Sequence, residues 1–259
     1  MKVVCVKIGG STVDAEGLLQ ELGLSLRALV DRGEFPVVIH GGGRDIARQL
    51  ESMNKEFRFV EGHRVTDHET MKTVQMVLSG DVNKRIVNAL LVRGVNALGV
   101  SGVDGNLFVA RKLLIHGQDI GWVGEIARVN TALVEALEKN RIVPVISPVS
   151  RDAAGNIYNV NADLAAGECA IALKADHLIF ISDVPGVRVD DQVRHEIGTA
   201  QIEKLITEGH ITGGMIPKVR SAKEAVSRGV SRVHICSWHG AETLARELAV
   251  ETSSGTVIY

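Results

Sequence analysis

Several common signatures are missing from this 259-residue chain. Aromatic residues make up only 3% of it, and its three cysteines are too widely spaced for a disulfide framework or a CxxC metal site. The formal net charge of -2 disfavours a broad basic surface for nucleic acid. No apolar run reaches the roughly 18 residues that a membrane-spanning helix needs, and no signal-peptide pattern precedes the first predicted strand. These absences predict a cytoplasmic protein that binds neither nucleic acid nor membrane.

The common phosphate-binding and hydrolase motifs are absent as well. The chain has no GxxxxGK[ST] loop, no serine-centred GxSxG elbow and no HExxH zinc motif. The segment Gly41–Ile46 lacks the last glycine of the GxGxxG dinucleotide fingerprint. The chain is therefore not a P-loop enzyme, and a Rossmann dehydrogenase is disfavoured.

Two apolar runs that end in glycine turns are the most informative features present. Val3–Ile8 is a predicted buried strand, and its Lys7 stands just before Gly9–Gly10. Pro36–His40 is a second predicted strand, followed by Gly41–Gly43 and then a predicted helix. In α/β sheets ligands bind at the carboxyl ends of strands, and free N–H groups at a helix start attract anions. A lysine above an ordinary turn would explain the first run alone, but the recurrence of the pattern favours an anion site.

Strands and helices alternate along the whole chain, which predicts an α/β fold with a mostly parallel sheet covered on both faces. A long helix is predicted from Thr66 or Asp67 to about Arg93, with an apolar stripe over Met71–Leu90. That stripe is most simply core, with a subunit interface as the alternative. Residues 107–128 are punctuated by glycine and predict short strands. No linker is evident, and any division into lobes falls near residues 150–180.

Charged and amide side chains near the predicted strand ends suit phosphoryl transfer. Arg64 is either a surface charge or a clamp for a carboxylate, since a guanidinium binds one bidentately. Helix capping explains Asn161 and Asp163 without a ligand, but explains Asn159 less well. Lys218 falls in the first turn of a predicted helix, where the dipole disfavours a cation, and this indicates a ligand. A carboxylate is the acceptor that fits best, because it is ionised at pH 7 and needs no general base.

Six motifs then point to a known family. They are Lys7–Gly10, His40–Gly43, Gly62–Thr66, Asn159–Asp163, Ser182–Gly186 and Gly213–Lys218. With them the chain resembles, nearly end to end, the N-acetylglutamate kinases of the amino acid kinase superfamily. The resemblance implies a three-layer αβα sandwich with a central, mostly parallel open sheet. It also implies one domain over residues 1–259, with an N-lobe of about residues 1–175 for the acid and a C-lobe of about residues 176–259 for ATP.

The resemblance further implies the reaction: ATP-dependent phosphorylation of the γ-carboxylate of N-acetyl-L-glutamate, in arginine biosynthesis. Mg²⁺ would bind to the phosphates of ATP, with few or no direct protein ligands. The residues with implied catalytic roles are Lys7, Lys218, Asp163 and Gly10. The residues implied to bind the acid are Gly42, Gly43, Arg64 and Asn159. The residues implied to border ATP are Asp183, Val184, Pro185, Gly186, Val187, Arg188, His210, Ile211 and Thr212.

Within these groups the resemblance implies separate tasks. Lys7 would stabilise the charge of the transferring phosphoryl group, Lys218 would act from the nucleotide side, and Asp163 would hold both lysines. Amides of the two glycine turns would bind phosphoryl oxygens. Arg64 and Asn159 would hold the α-carboxylate of the acid.

The resemblance also implies a homodimer paired through the long helix, a role that the Met71–Leu90 stripe would fit. Arginine-inhibited members carry an extra N-terminal helix, and because this chain begins at the first strand we expect insensitivity to arginine.

Two alternative functions stay open. A kinase of the same fold could act on N-acetylated or carrier-protein-linked aminoadipate or glutamate, although Arg64 with Asn159–Asp163 favours the free acetylated amino acid. A catalytically silent regulatory module is disfavoured by the presence of Lys7, Lys218 and Asp163.

Overall fold

The computed structural model describes residues 1–9, 16–190, 192–213, 215–249 and 253–259. The strands are β1 (Val3–Ile8), β2 (Phe35–His40), β3 (Phe59–Val60), β4 (His63–Arg64), β5 (Ala97–Ser101), β6 (Phe108–Ile115), β7 (Gln118–Val129), β8 (Val143–Ser147), β9 (Val149–Arg151), β10 (Ile157–Val160), β11 (His177–Ser182), β12 (Arg188–Val189), β13 (Gln192–Val193), β14 (Glu196–Ile197), β15 (Arg232–Ser237) and β16 (Thr256–Ile258).

The helices are α1 (Glu16–Asp31), α2 (Gly43–Ser52), α3 (His68–Gln75), α4 (Asn83–Val92), α5 (Ala132–Lys139), α6 (Ala162–Ala172), α7 (Ile202–Thr207), α8 (Met215–Ser227) and α9 (Thr243–Leu248). A π-helical segment, Met76–Val82, joins α3 to α4, and short 3-10 turns occur at Asp104–Asn106 and Thr199–Gln201. Within the described ranges, no helix is both long and apolar enough to cross a lipid bilayer.

Eight strands form one sheet in the order β14-β16-β15-β11-β1-β2-β8-β5. Its neighbouring strands run parallel except β15 and β16, which are antiparallel. Lys7 of β1 stands beside Ile39 of β2 and Phe180 of β11, so the carboxyl ends of these three strands share one edge. The predicted mostly parallel α/β sheet is confirmed.

Side chains of β1 alternate between two cores, one on each face of the sheet. Val4 and Val6 pack in the core that contains the leucines of α1, whereas Cys5 packs in the core that contains the alanines of α6 and α8. Each fully buried aliphatic side chain in such a core contributes about 1.5–3 kcal/mol. Helices therefore cover both faces, which confirms the expected three-layer αβα sandwich.

The long predicted helix exists, but its apolar stripe is not an interface. Asp67 caps it by accepting a hydrogen bond from the Thr70 backbone N–H at 2.8 Å. The helix then runs through α3, the π-helical segment and α4. All six stripe side chains are buried in the core of this same chain: Met71, Val74, Leu78, Val82, Ile86 and Leu90. The interface role for this stripe is therefore wrong, because the sheet already covers it.

Residues 107–128 form two long strands, so the prediction of short strands is wrong. β6 and β7 pair as an antiparallel hairpin and close with β9 and β10 into a small four-stranded sheet. Gly117 lies in the turn between the two strands, whereas Gly121 and Gly124 lie inside β7 and permit close approaches. Gly121, at φ +86°, lies against the Thr66 carbonyl, and a Cβ there would collide with that oxygen. The small sheet also places Asn159 of β10 beside Val123 of β7.

Candidate active site

A cavity of about 480 Å³ opens at the carboxyl ends of β1 and β2. Two helices, α2 from Gly43 and α6 from Ala162, begin at its wall. The first N–H groups of a helix have no acceptor within the helix, and at α2, which has no side-chain cap, they favour an anion. The charged residues that line the cavity are Lys7, Arg44, Arg64, Asp163 and Asp183. The site is therefore shaped and charged for an anionic ligand.

Two lysines meet one carboxylate at the cavity. Lys7 Nζ lies 2.7 Å from Asp163 Oδ1, and Lys218 Nζ lies 2.9 Å from Asp163 Oδ2. The lysine side chains are only 12% and 14% exposed. Burial alone raises the pKa of the Asp163 carboxyl, but the charges and hydrogen bonds of Lys7 and Lys218 outweigh burial, so the net pKa lies below its usual value. The cluster therefore carries a net positive charge in a site partly withdrawn from water.

The start of α6 fixes Asp163 in this position. Asn161 precedes the helix, and its side-chain oxygen accepts hydrogen bonds from the backbone N–H groups of Asp163 (2.8 Å) and Leu164 (3.3 Å). This is the helix cap predicted for Asn161. Because Asn161 satisfies the helix start, the Asp163 carboxylate is left to bind the lysines.

Arg64 is a nearly buried cation on the cavity wall. Its residue is 6% exposed, and its Nη2 donates to the Gly43 carbonyl at 3.0 Å. Its guanidinium carbon lies 4.3 Å from the ring centre of Phe57 and 4.7 Å from that of Phe59. Burial lowers the pKa of Arg64 from its usual value, but an arginine still stays charged at neutral pH. Its Nη1 is buried and has no hydrogen-bond partner among the described residues, so it can donate to a ligand.

Asn159 is joined to Arg64 through one threonine. Asn159 Nδ2 donates to Thr66 Oγ1 at 3.2 Å, and Thr66 Oγ1 donates to the Arg64 carbonyl at 2.7 Å. Thr66 is fully buried, so these bonds lie out of water. The structure thus brings together the two residues predicted to hold the same carboxylate.

The second glycine turn packs tightly against the long helix. Gly41 N–H donates to the Ile8 carbonyl at 3.0 Å, which ties the turn to β1. A Cβ at Gly42 would lie 2.6 Å from Leu78 Cδ2, so a larger residue would displace the turn. Gly42 and Gly43 both line the cavity, as predicted for the acid site. Gly10, predicted in the first turn, lies outside the described residues, as does Gly214 of the last motif.

The structure places the residues predicted to border ATP in different surroundings, and one of them lines the cavity. Asp183 lines it, and Val184 is exposed in the turn that follows β11. The side chains of Val187 and Ile211 are buried in the core, which leaves only their backbone atoms for a ligand. His210 Nδ1 lies 3.1 Å from Asp190 Oδ1. The remaining predicted residues, Pro185, Gly186, Arg188 and Thr212, lie in the same two segments.

Three contributors to the site were missed in the sequence: Phe57, Phe59 and Thr66. The first two alternate just before Arg64, and that period of two signals side chains on one face. Nothing local indicates that Thr66 joins Arg64 to Asn159. Over the part of the chain that the structure describes, no group of three or more His, Cys, Asp or Glu side chains is placed to hold a metal ion.

Comparisons with known proteins agree with this geometry. The model of the amino acid kinase family matches residues 2–237. An acetylglutamate kinase from Methanococcoides burtonii is 38% identical over 99% of this chain and 89% of its own. Another, from Halothermothrix orenii, is 41% identical over 99% of this chain and 91% of its own. The solved structure of smu.665 from Streptococcus mutans superposes with a TM-score of 0.82 and 28% identity, covering 99% of this chain and 98% of that one.

The chain therefore belongs to the amino acid kinase family. Within that family it falls among the acetylglutamate kinases, because its similarity to them runs over nearly the full length of both chains. The family resemblance predicted from the sequence motifs is confirmed.

Proposed function

We propose that this protein transfers the γ-phosphoryl group of ATP to the γ-carboxylate of N-acetyl-L-glutamate, which yields N-acetyl-L-glutamyl 5-phosphate for arginine biosynthesis. The observation that carries the proposal is the Lys7–Asp163–Lys218 cluster, which lies at a cavity that also holds a buried arginine with an unpartnered Nη1. The names and near-complete coverage of the acetylglutamate kinase relatives support the choice of acid.

In this proposal Arg64 and Asn159 hold the α-carboxylate of the acid. A buried guanidinium N–H without a partner is costly, and a carboxylate would remove that cost with a charge-assisted hydrogen bond. The Phe57 and Phe59 rings fix the guanidinium plane. The amino acid is thereby oriented with its side-chain carboxylate towards the lysines.

The transfer step needs charge stabilisation more than acid–base chemistry. A γ-carboxylate oxygen attacks the γ-phosphorus of ATP as the bond to the β,γ-bridging oxygen breaks, and ADP leaves. Lys7 stabilises the transferring phosphoryl group, Lys218 acts from the ADP side, and Asp163 holds the two ammonium groups apart. Amide groups of Gly42 and Gly10 bind phosphoryl oxygens.

ATP enters this proposal with Mg²⁺ bound to its phosphates, as part of the substrate. Both Asp163 oxygens already face lysines, so that cluster is not a metal site. The turn at Asp183–Arg188 and the segment His210–Thr212 border the nucleotide. We therefore also propose the division into an N-lobe of about residues 1–175 for the acid and a C-lobe of about residues 176–259 for ATP.

We further propose a cytoplasmic homodimer that pairs through the outer side of the long helix and the adjoining edge strand β5. Four exposed apolar side chains support this surface: Met76, Leu91, Val92 and Leu98. Among the described strands, β5 ends the sheet and pairs there with β8. Sedimentation of wild type and Val92→Glu tests the pairing. A dimer that becomes monomeric is expected, and an unchanged dimer would contradict this surface.

Trapping of the acyl phosphate tests the reaction itself. Purified protein, Mg-ATP and hydroxylamine are incubated with N-acetyl-L-glutamate, L-glutamate, L-aspartate or N-acetyl-L-aminoadipate. Hydroxamate from N-acetyl-L-glutamate is expected, and Lys7→Ala purified identically should give none, which excludes a contaminating kinase. A signal chiefly from N-acetyl-L-aminoadipate would show that the substrate is a different acid, and the proposed phosphoryl-transfer mechanism would still hold. No signal from any acid would contradict the proposal and favour a carrier-linked acceptor or a silent module.

A further inference from the structure

His40 is a fully buried histidine that directly precedes the second glycine turn and has no role in the reaction described above. Its Nδ1 lies 2.8 Å from the Gly41 carbonyl oxygen, and its Nε2 lies 3.1 Å from Asn83 Nδ2. Asn83 is itself fully buried at the start of α4, directly after the π-helical segment. The imidazole therefore connects the turn that lines the cavity to the long helix behind it.

The surroundings of Asn83 determine which ring nitrogen of His40 carries the proton. Asn83 Oδ1 accepts from Lys84 Nζ at 2.9 Å, and Asn83 Nδ2 donates to the Val145 carbonyl at 2.9 Å. The amide nitrogen thus faces His40 and can only donate, so Nε2 must accept. Burial lowers the pKa of His40 to about 4, so the ring is neutral at pH 7. Its proton is therefore on Nδ1, which donates to the Gly41 carbonyl.

This hydrogen bond orients the next amide of the turn. The C=O of Gly41 and the N–H of Gly42 belong to one trans peptide plane and point in opposite directions. With the carbonyl held towards the buried imidazole, the Gly42 N–H points away from the imidazole, and Gly42 itself lines the cavity. Leu78 and Val82 of the π-helical segment pack under the Gly42 Cα and limit movement on that side.

We infer that His40, held in one tautomer by Asn83, is a positioning residue that aims the Gly42 N–H at the transferring phosphoryl group. This inference rests on the proposed kinase function. A donor aimed in advance at developing charge acts on the transition state, so its misalignment lowers kcat more than it raises the KM of the acid.

Two substitutions separate the positioning role from a merely structural one. In His40→Asn the amide Nδ2 takes the place of imidazole Nδ1 and can still donate to the Gly41 carbonyl. In His40→Gln the longer amide reaches towards Asn83 and leaves that carbonyl without its donor. Both variants lose buried imidazole packing, so thermal denaturation is measured for each as the control for stability.

We expect kcat to fall about tenfold or more in His40→Gln, with the KM of the acid changed by less than about threefold, because a single oriented donor contributes on this scale. His40→Asn should keep most of the wild-type kcat. Equal losses in both variants, losses that only follow their melting temperatures, or a fully active His40→Gln would overturn the inference. If the wild-type protein phosphorylated none of the acids, the proposed function itself would be contradicted.

A second measurement does not depend on turnover. Long-range proton–nitrogen correlation NMR on wild-type protein labelled with ¹⁵N-histidine shows which ring nitrogen of each histidine is protonated. The His40 signals are assigned as those missing from the spectrum of His40→Asn or His40→Gln, because His234 is buried as completely as His40. A proton on Nδ1 is expected, and a proton on Nε2 would overturn the inference.

Discussion

The proposed acid side and the proposed nucleotide side of this site are built differently. On the acid side Arg64 is 6% exposed, stacks on two rings and bonds to Gly43. On the proposed nucleotide side the Asp183 side chain is 68% exposed, and its carboxylate lies 3.9 Å from the Arg44 guanidinium. Groups that are held before a ligand arrives lose less entropy when it binds. If the proposed roles hold, we expect selectivity for the acid to come from buried, preformed contacts, whereas exposed turns bind the nucleotide.

Lys7 lines the cavity and is proposed to act on the transferring phosphoryl group, so its loss should have the largest effect. In Lys7→Ala we expect kcat to fall about a thousandfold, since removal of one charge-stabilising donor in a water-poor site costs about 10²–10³ in rate. Lys139→Ala, at an exposed position on α5, is the matched control and should be fully active. Steady-state kinetics give kcat for wild type and both variants. A Lys7→Ala enzyme with wild-type kcat would rule out the proposed role of Lys7 in stabilising the phosphoryl group.

Arg64→Ala tests the acid side alone. The KM of N-acetyl-L-glutamate should rise about a hundredfold with a much smaller change in kcat, because truncating one partner of a buried charge pair costs about 2–5 kcal/mol. Arg58→Ala, an exposed arginine near the same hairpin, is the control. A comparable rise in the KM of ATP would show that Arg64 is not confined to the acid side.

Phe57→Leu probes how far the rings contribute to this preformed arrangement. The substitution keeps apolar bulk and removes the ring that lies 4.3 Å from the Arg64 guanidinium. We expect the KM of the acid to rise about threefold to tenfold, in the range of a partly desolvated cation–π contact. Phe59→Leu should change it less, because Phe59 is 55% exposed. If neither variant altered KM, the stacking would be incidental.

Asp183→Asn should have the smallest effect. An exposed charge contributes about 1 kcal/mol or less, so the KM of ATP should change by less than about fivefold. The KM of the acid, measured in the same variant, serves as the internal control and should not move. A large rise in the KM of ATP would mean that the turn at Asp183 is as preformed as the proposed acid side. The proposed difference between the two sides would then be wrong.

Local sequence patterns were sufficient for the sheet and for the helix starts. Apolar runs predicted β1 and β2 closely, and Asn161 and Asp67 cap helices as expected. These features depend on residues that are close together along the chain, so the sequence alone is enough to predict them.

Features that depend on distant residues were not predictable in this way. The Lys7–Asp163–Lys218 cluster joins residues from three separate elements, and only the family resemblance brought them together before the structure did. The glycines of residues 107–128 predicted interruptions, whereas Gly121 instead permits contact with the Thr66 backbone. The apolar stripe fitted either a core or an interface, and the sheet packed against it decided for the core.

Removing the α-carboxylate from the substrate, in wild type and in Arg64→Ala, tests the central claim most directly. 4-Acetamidobutanoate keeps the acetamido group and the reacting carboxylate of N-acetyl-L-glutamate but lacks the group that Arg64 is proposed to bind. The kcat/KM of wild type should fall about a hundredfold when N-acetyl-L-glutamate is replaced by 4-acetamidobutanoate. The kcat/KM of Arg64→Ala should be nearly the same for the two acids. An equal loss in both enzymes would contradict the claim that the buried arginine recognises the α-carboxylate.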